Sequence, residues 1–163
     1  MSKNPIQQLT EDWQRELPEL DVGPMATLAQ VNRLSLLVKR RIESALSAAG
    51  SSLADFDVLS ALRRQGPPFR LMPSELSRSV MLSPSGMTHR IDLLEAAGLV
   101  ERQSDPTNRR STPVVLTAEG VRVAESLVEI VVDVQAEALQ TLSSAQQSAL
   151  DQAIGRVLDD LAP

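Results

Sequence analysis

A group of small polar side chains occupies one stretch of the sequence, between positions 83 and 90. The candidate DNA-binding residues in this stretch are Ser83, Ser85, Gly86, Thr88, His89 and Arg90. Met87, Ile91 and Leu94 recur here at helical spacing, which predicts a helix with a buried apolar face and a polar outer face. Such an outer face has the side-chain types that read base edges in the major groove of DNA.

The elements around this stretch predict a helix-turn-helix. Residues 73–80 form a first helical segment, and a turn at 81–83 leads into a second helix over residues 84–97. Ser83 is placed to cap the second helix, and Pro84 stands at its first position, where a missing N–H costs little. Gly98 then supplies the left-handed residue that ends it. In this arrangement the second helix is the one that enters the major groove.

The sequence that follows predicts a β-hairpin with a charged tip. Two short strand-like runs, 99–102 and 112–116, flank a turn-rich loop that carries Arg109 and Arg110. A hairpin behind a DNA-reading helix is a wing, and its arginines would contact phosphates or the minor groove. The plain alternative is a hairpin tip that simply carries charge. Pro113 cannot donate to a strand ladder, which predicts that its strand lies at a sheet edge.

Several strings between residues 30 and 140 occur together and in register. They are Phe56-Asp57-Val58-Leu59, Gly66-Pro67-Pro68, Glu75-Leu76, Met87-Thr88-His89-Arg90-Ile91, residues 94–102, Asp105-Pro106, Arg109-Arg110 and residues 116–120. Together they resemble the MarR family of winged helix-turn-helix transcription regulators. The resemblance implies a mainly α fold with a small β-hairpin wing, a homodimer, and DNA binding controlled by a small molecule. His89 and Asn108 depart from the residues usual in that family, and both departures bear on the preferred operator sequence.

The charges are unevenly distributed along a chain whose formal net charge is −5. Residues 63–110 contain eight arginines against five acidic residues, so this segment is +3 and the rest of the chain is −8. The positive part coincides with the predicted helix-turn-helix and wing, where DNA phosphates would lie. An ordinary solvated surface is the alternative explanation for the charges alone.

Composition excludes several classes of function and favours a helical fold. The chain has no cysteine, one histidine, and only Trp13, Phe56 and Phe69 as aromatic residues. These counts exclude disulfides and thiolate sites, argue against a metal centre, and leave an aliphatic core that favours helices. Because the sequence has no glycine-rich phosphate loop and no nucleophile with a plausible base, we expect neither an enzyme nor a cofactor. No apolar run reaches the length of a membrane span and the first residues lack a signal pattern, so we expect a cytoplasmic protein.

Helical segments flank the predicted DNA-binding lobe. Apolar periodicity predicts helices over residues 5–17, 25–49 and 53–65, a long helix after Thr117 and a last helix after Ser143. The first long helix and the last two carry more apolar surface than a small winged helix covers, which predicts a two-fold homodimer. We expect one domain over residues 1–163, with dimerisation helices at 1–50 and 117–163 and a DNA-binding lobe at 51–116. Its two recognition helices would enter major grooves about 34 Å apart on a pseudo-palindromic operator.

A set of four residues matches the urate-responsive, PecS-like branch of the same family. These residues are Trp13, Asp57, Arg64 and Arg90. The resemblance implies that they bind a purine effector, urate or a related oxopurine. Asp57 and Arg64 lie seven residues apart and so share one face of a helix, and an ion pair from Arg90 to Asp57 would tie the recognition helix to it. An indole suits stacking and an arginine fork suits a planar anion, which would repel Asp57 and rotate the recognition helices away from DNA.

Each of these residues also has a plain structural alternative. Trp13 could anchor the N-terminal helix, Asp57 and Arg64 could form a solvated pair, and Arg90 could contact phosphate directly. The leading hypothesis is a repressor that urate or a related purine releases from its operator. The nearest alternative is a repressor that responds to another aromatic acid or phenol. A third hypothesis is a helical dimerisation module without DNA binding.

Overall fold

Helices make up most of the chain in the computed structural model, which describes residues 5–80, 84–103 and 112–162. The helices in those ranges are α1 (Pro5–Glu16), α2 (Gly23–Ala48), α3 (Leu53–Arg63), α4 (Pro73–Ser79), α5 (Pro84–Ala96), α6 (Ala118–Leu139) and α7 (Ser144–Leu161). The strands there are β1 (Arg70–Leu71), β2 (Val100–Arg102) and β3 (Val114–Leu116). This confirms the predicted mainly α fold with a small sheet. Among the described helices none has the length and apolar character needed to cross a membrane.

The chain divides into two units, and the boundary falls inside α2, after Arg41. In the first unit, Ile6 of α1 and Val22, just before α2, are buried. Four apolar side chains of α2 that the periodicity places on one stripe are between 44% and 61% exposed: Leu28, Val31, Leu34 and Leu37. The first unit therefore presents an uncovered apolar helix face.

The core of the second unit lies between α3 and α6, and α4 and α5 also pack against α3. The largest fully buried side chains come from α2, α3, α4 and α5, and include Leu46, Leu59, Leu62, Leu76, Met87 and Ile91. Leu59 and Leu62 are three residues apart on α3, and both are fully buried. The aliphatic core that the composition predicts is thus formed mainly where helices cross one another.

Side-chain caps explain where three of these helices begin. Ser52 and Asp55 form a capping box at α3, and Ser143 and Gln146 form another at α7. Thr117 caps α6 by accepting the backbone N–H of Gly120 at 2.9 Å. The helices predicted after Thr117 and Ser143 are confirmed, and these two residues are their N-caps.

The sheet of the second unit has three antiparallel strands in the order β1-β3-β2. β2 and β3 are the strands of the predicted hairpin, with Glu101 opposite Val115. The prediction that the strand of Pro113 lies at an edge is wrong, because β1 pairs with the other side of β3. Pro113 is compatible with a central strand because the ladder begins one residue later, at Val114.

The helix-turn-helix consists of α4 and α5, whose connecting residues 81–83 lie outside the described ranges. α4 begins with Pro73, and the carboxylate of Glu75 accepts the backbone N–H of Met72 at 2.7 Å. α5 begins with Pro84 and ends before Gly98, whose φ of +71° is the left-handed conformation predicted for it. These local signals fix the start of α4 and both ends of α5.

Candidate nucleic-acid interface and effector site

The outer face of α5 presents the polar side chains that the sequence predicts for base contact. Ser85, Thr88 and His89 are exposed, and Gly86 between them is half-buried. The apolar residues of the same helix are almost completely buried: Met87, Ile91 and Leu94. The predicted helix with a buried apolar face and a polar outer face is confirmed. The polar face of the N-terminal half of α5 is exposed, so it is available to enter a groove of a binding partner.

Arg102, at the end of β2, fastens the wing to α5. Its Nη2 atom donates to Oδ1 of Asp92 at 2.5 Å, and its Nη1 atom donates to Oε2 of Glu95. The other oxygen of Glu95 accepts the backbone N–H of Arg102 at 3.0 Å. Partial burial lowers the pKa of Arg102, but hydrogen bonds and charges from Asp92 and Glu95 outweigh it, so this pKa is raised overall. The guanidinium stays charged, and its ion pairs with Asp92 and Glu95 hold the base of the hairpin against α5.

Arg90 forms its ion pair with Asp55, where the sequence analysis expected Asp57. The Nη1 atom of Arg90 donates to Oδ1 of Asp55 at 2.9 Å, near the start of α3. The expected Arg90–Asp57 pair is therefore wrong. Positions 55 and 57 are about 200° apart around a helix, so their side chains leave α3 in nearly opposite directions and only Asp55 reaches α5.

Asp57 and Arg64 share a cleft, as their seven-residue spacing predicts. The cleft has a volume of about 440 Å³, within the range of small-molecule sites. Its walls come from α3, the end of α4 and α6, and the lining residues are Phe56, Asp57, Ser60, Arg63, Arg64, Ser79, Val80 and Val128. The ring of Phe56, the guanidinium of Arg64 and the hydroxyls of Ser60 and Ser79 suit a planar anionic ligand, which would lie close to the carboxylate of Asp57 and repel it.

Arg63 is a residue of this cleft that the sequence analysis counted only as a charge. Its Nε and Nη2 atoms donate to Oε1 of Glu125 on α6 at 2.9 and 2.7 Å. Its guanidinium also lies over the ring of Phe69, with Cζ 5.0 Å from the ring centroid. No local pattern signals this role, because Glu125 is 62 positions away in the sequence.

The remaining predicted site residues are distributed over different parts of the chain. Trp13 lies on α1 in the first unit and is 40% exposed, so its indole has an accessible face. Ser83, Arg109 and Arg110 lie outside the described residues, and their predicted DNA contacts stay predictions. Arg90 lines a second cleft, of about 290 Å³, together with Asp55 and Leu93.

Arg78 is a candidate phosphate contact that the sequence analysis did not single out. It lies exposed in the last turn of α4, and its Nε atom donates to the carbonyl oxygen of Ser74 at 3.3 Å. The first helix of a helix-turn-helix crosses the DNA backbone, so a cation there can meet phosphate. Its position in the first helix of the motif is a signal that sequence reasoning could have used.

The helix-turn-helix, the hairpin behind it and the polar outer face of α5 define a winged helix-turn-helix protein. A model of the MarR family matches residues 49–111. The chain is 34% identical over 152 residues to the HTH-type transcriptional regulator PecS of Dickeya dadantii, covering 93% of this chain and 92% of that protein. The HTH-type transcriptional repressor Rv2887 of Mycobacterium tuberculosis is 32% identical over 127 residues, covering 78% and 88%. The chain belongs to the MarR family of transcriptional regulators.

Solved structures of family members agree with the fold. Rv2887 in complex with p-aminosalicylic acid superposes with a TM-score of 0.64 at 28% identity, covering 79% of this chain and 95% of that one. Sco3205, a MarR family transcriptional regulator from Streptomyces coelicolor in complex with DNA, has a TM-score of 0.72 at 23% identity, covering 88% and 91%. Because the similar proteins are named as transcriptional regulators, the expectation that this protein is not an enzyme is confirmed.

Proposed function

We propose that this protein is a homodimeric transcriptional repressor that binds a pseudo-palindromic operator and is released from it by a small planar anion, urate or a related purine. The observation that carries the DNA-binding part is the exposed polar face of α5, with Ser85, Thr88 and His89, on a helix that ion pairs hold at its middle and in its C-terminal half. The DNA complex of Sco3205 supports the same use of the fold.

Uncovered apolar surface supports the homodimer. In the first unit the stripe of α2 is exposed, and in the second unit α7 exposes four large apolar side chains: Ile154, Val157, Leu158 and Leu161. Aliphatic faces of this size are unfavourable in water, and a two-fold partner that supplies the same helices would cover them. Sedimentation at micromolar concentration tests this, and a monomer would contradict the proposal.

The cleft that contains Asp57 and Arg64 supports control by a small anion. One wall is the end of α4, directly before the turn of the helix-turn-helix, so an occupant would contact the DNA-binding motif itself. The similarity to PecS over 93% of the chain favours the urate-responsive branch. The p-aminosalicylic acid complex of Rv2887 favours the second candidate, another aromatic acid.

Binding to DNA is tested by selecting a duplex from a random-sequence library with the wild-type protein. Salt-sensitive, sequence-specific binding of the enriched duplex is the expected result. Adding urate, xanthine or salicylate then shows which compound releases the duplex. A protein that enriches no sequence, even at low salt, would be the helical dimerisation module instead.

Arg64→Ala is expected to weaken effector binding about tenfold or more, because a charge-assisted hydrogen bond to an anion is lost. Calorimetry with urate, xanthine and salicylate measures the change. Arg122→Ala is the matched control, since Arg122 pairs with Glu119 on the exposed side of α6 and its loss removes an equal charge. Equal affinities of the Arg64 variant and the wild type would remove the cleft from the proposal.

Trp13→Ala is expected to abolish the release of DNA by the effector, because the substitution removes the indole on which the planar effector would stack.

The double variant Arg109→Ala and Arg110→Ala is expected to lower the slope of log affinity against log salt by about 4, because the dimer loses two phosphate contacts in each protomer and so releases fewer counterions. Arg78→Ala should lower this slope by about 2, because each protomer loses one phosphate contact. Fluorescence anisotropy between about 50 and 200 mM salt measures both slopes, because a wild-type dimer with about six or more phosphate contacts loses about a thousandfold or more in affinity over this range. A slope that stays at the wild-type value would show that the wing does not contact phosphate.

A further inference from the structure

The ion pair between Arg90 and Asp55 joins the recognition helix to the beginning of α3. It is partly buried, with 25% of the Arg90 side chain and 19% of the Asp55 side chain exposed. The distance between Nη1 and Oδ1 is 2.9 Å, the usual length of a charge-assisted hydrogen bond. The pair is therefore better shielded from water than an ordinary surface ion pair.

Asp55 is itself held in place by the capping box of α3. Its Oδ2 atom accepts the backbone N–H of Ser52 at 3.0 Å and the hydroxyl of Ser52 at 2.5 Å. The hydroxyl oxygen of Ser52 in turn accepts the backbone N–H of Asp55 at 3.1 Å. One carboxylate oxygen thus fixes the end of α3 and the other binds α5, so that Asp55 connects two helices at a defined point.

We propose that Asp55 is a positioning residue of the DNA-binding site, which orients the recognition helix by holding Arg90. The inference rests on the proposed DNA binding and adds a residue that does not touch DNA itself. Arg102 holds the C-terminal half of α5 to the wing, and Asp55 holds its middle to α3. With the middle and the C-terminal half of the helix constrained, the side chains of its N-terminal half meet base edges in one orientation.

The sign of a mutational effect separates this role from simple electrostatics. Removing a negative charge from a DNA-binding lobe strengthens DNA binding when only the overall field matters. A positioning carboxylate has the opposite effect, because its loss frees Arg90 and the helix that carries it. Specific binding then weakens, whereas binding to random sequence, which needs no orientation, is little changed.

Two substitutions at position 55 provide a matched pair. Glu and Gln are both favoured at the third position of a capping box, so Asp55→Glu and Asp55→Gln both keep an acceptor for Ser52. Only Asp55→Glu keeps the negative charge that binds Arg90. Asp55→Gln is expected to bind the enriched duplex about tenfold more weakly than Asp55→Glu, with equal binding of random-sequence DNA. Asp133→Asn on the exposed side of α6 controls for the change in net charge.

A double-mutant cycle with Arg90→Gln completes the test. If Asp55 acts through Arg90, each single variant loses about tenfold in affinity for the enriched duplex. The double variant then loses no more affinity than either single variant. Additive losses, or a loss confined to Arg90→Gln, would show that Arg90 contacts DNA directly and would overturn the proposal. Unchanged affinity of Asp55→Gln with a lower melting temperature would leave Asp55 a purely structural cap and would overturn it too. If the wild-type protein enriches no duplex, the proposed DNA binding fails first, and with it this inference.

Discussion

The double variant Thr88→Ala and His89→Ala is expected to bind the enriched operator duplex at least about 100-fold more weakly than the wild type, because each protomer of the proposed dimer loses two side chains placed to contact base edges. Both residues are exposed on the outer face of α5, near its N-terminus. Base contacts carry the sequence information, whereas phosphate contacts are shared by all duplexes. Affinity for random-sequence DNA should therefore change little.

Anisotropy titrations with the enriched duplex and a scrambled duplex measure the two affinities. Ala96→Ser is the control on the same helix, because Ala96 is exposed at the far end of α5 and the substitution adds a hydroxyl there. We expect its affinity for both duplexes to equal that of the wild type. A double variant that loses the same factor on both duplexes would contradict a base-reading role for this face.

Gly120→Ala is expected to lower the free energy of unfolding by about 3 kcal/mol, since the added methyl group has no space. A Cβ atom at Gly120 would overlap the carbonyl oxygen of Leu99 and would lie 2.9 Å from the carbonyl carbon of Leu99. It would also lie 3.2 Å from Cδ2 of Leu116. The Leu99 carbonyl cannot withdraw freely, because it accepts the backbone N–H of Thr117 at 3.1 Å. The clash therefore falls on the junction of α5, β3 and α6.

Gly155→Ala is the matched control for this substitution. Gly155 also lies within a helix, α7, but within one protomer a Cβ atom there meets nothing within 4 Å. Since alanine is the better helix former, we expect this variant to be more stable than the wild type by about 0.5 to 1 kcal/mol. Urea unfolding at one fixed protein concentration measures both variants. A Gly120→Ala protein as stable as Gly155→Ala would show that α6 can move away from Leu99 without loss.

Contacts within a few residues made much of this protein predictable from its sequence. The cap of Thr117, the capping box of Ser143, the left-handed Gly98 and the buried stripe of α5 all depend on partners in the same or the next turn. Helical period alone also placed Asp57 and Arg64 on one face, and they line one cleft. The short polar residues of α5 and their exposure followed from the same periodicity.

Only the tertiary structure decided which distant groups meet. Arg90 and Asp55 are 35 positions apart, and the choice between Asp55 and Asp57 depends on the rotation of α3 against α5, which no local pattern encodes. β1 has two residues, too few to show alternation, so the central position of β3 emerged only when a third strand paired with it. The close approach of Gly120 to Leu99 likewise arises from the packing of α6. Local patterns determine helix ends and faces because their energies depend on near neighbours, whereas partners across the core depend on how those helices are rotated when they pack.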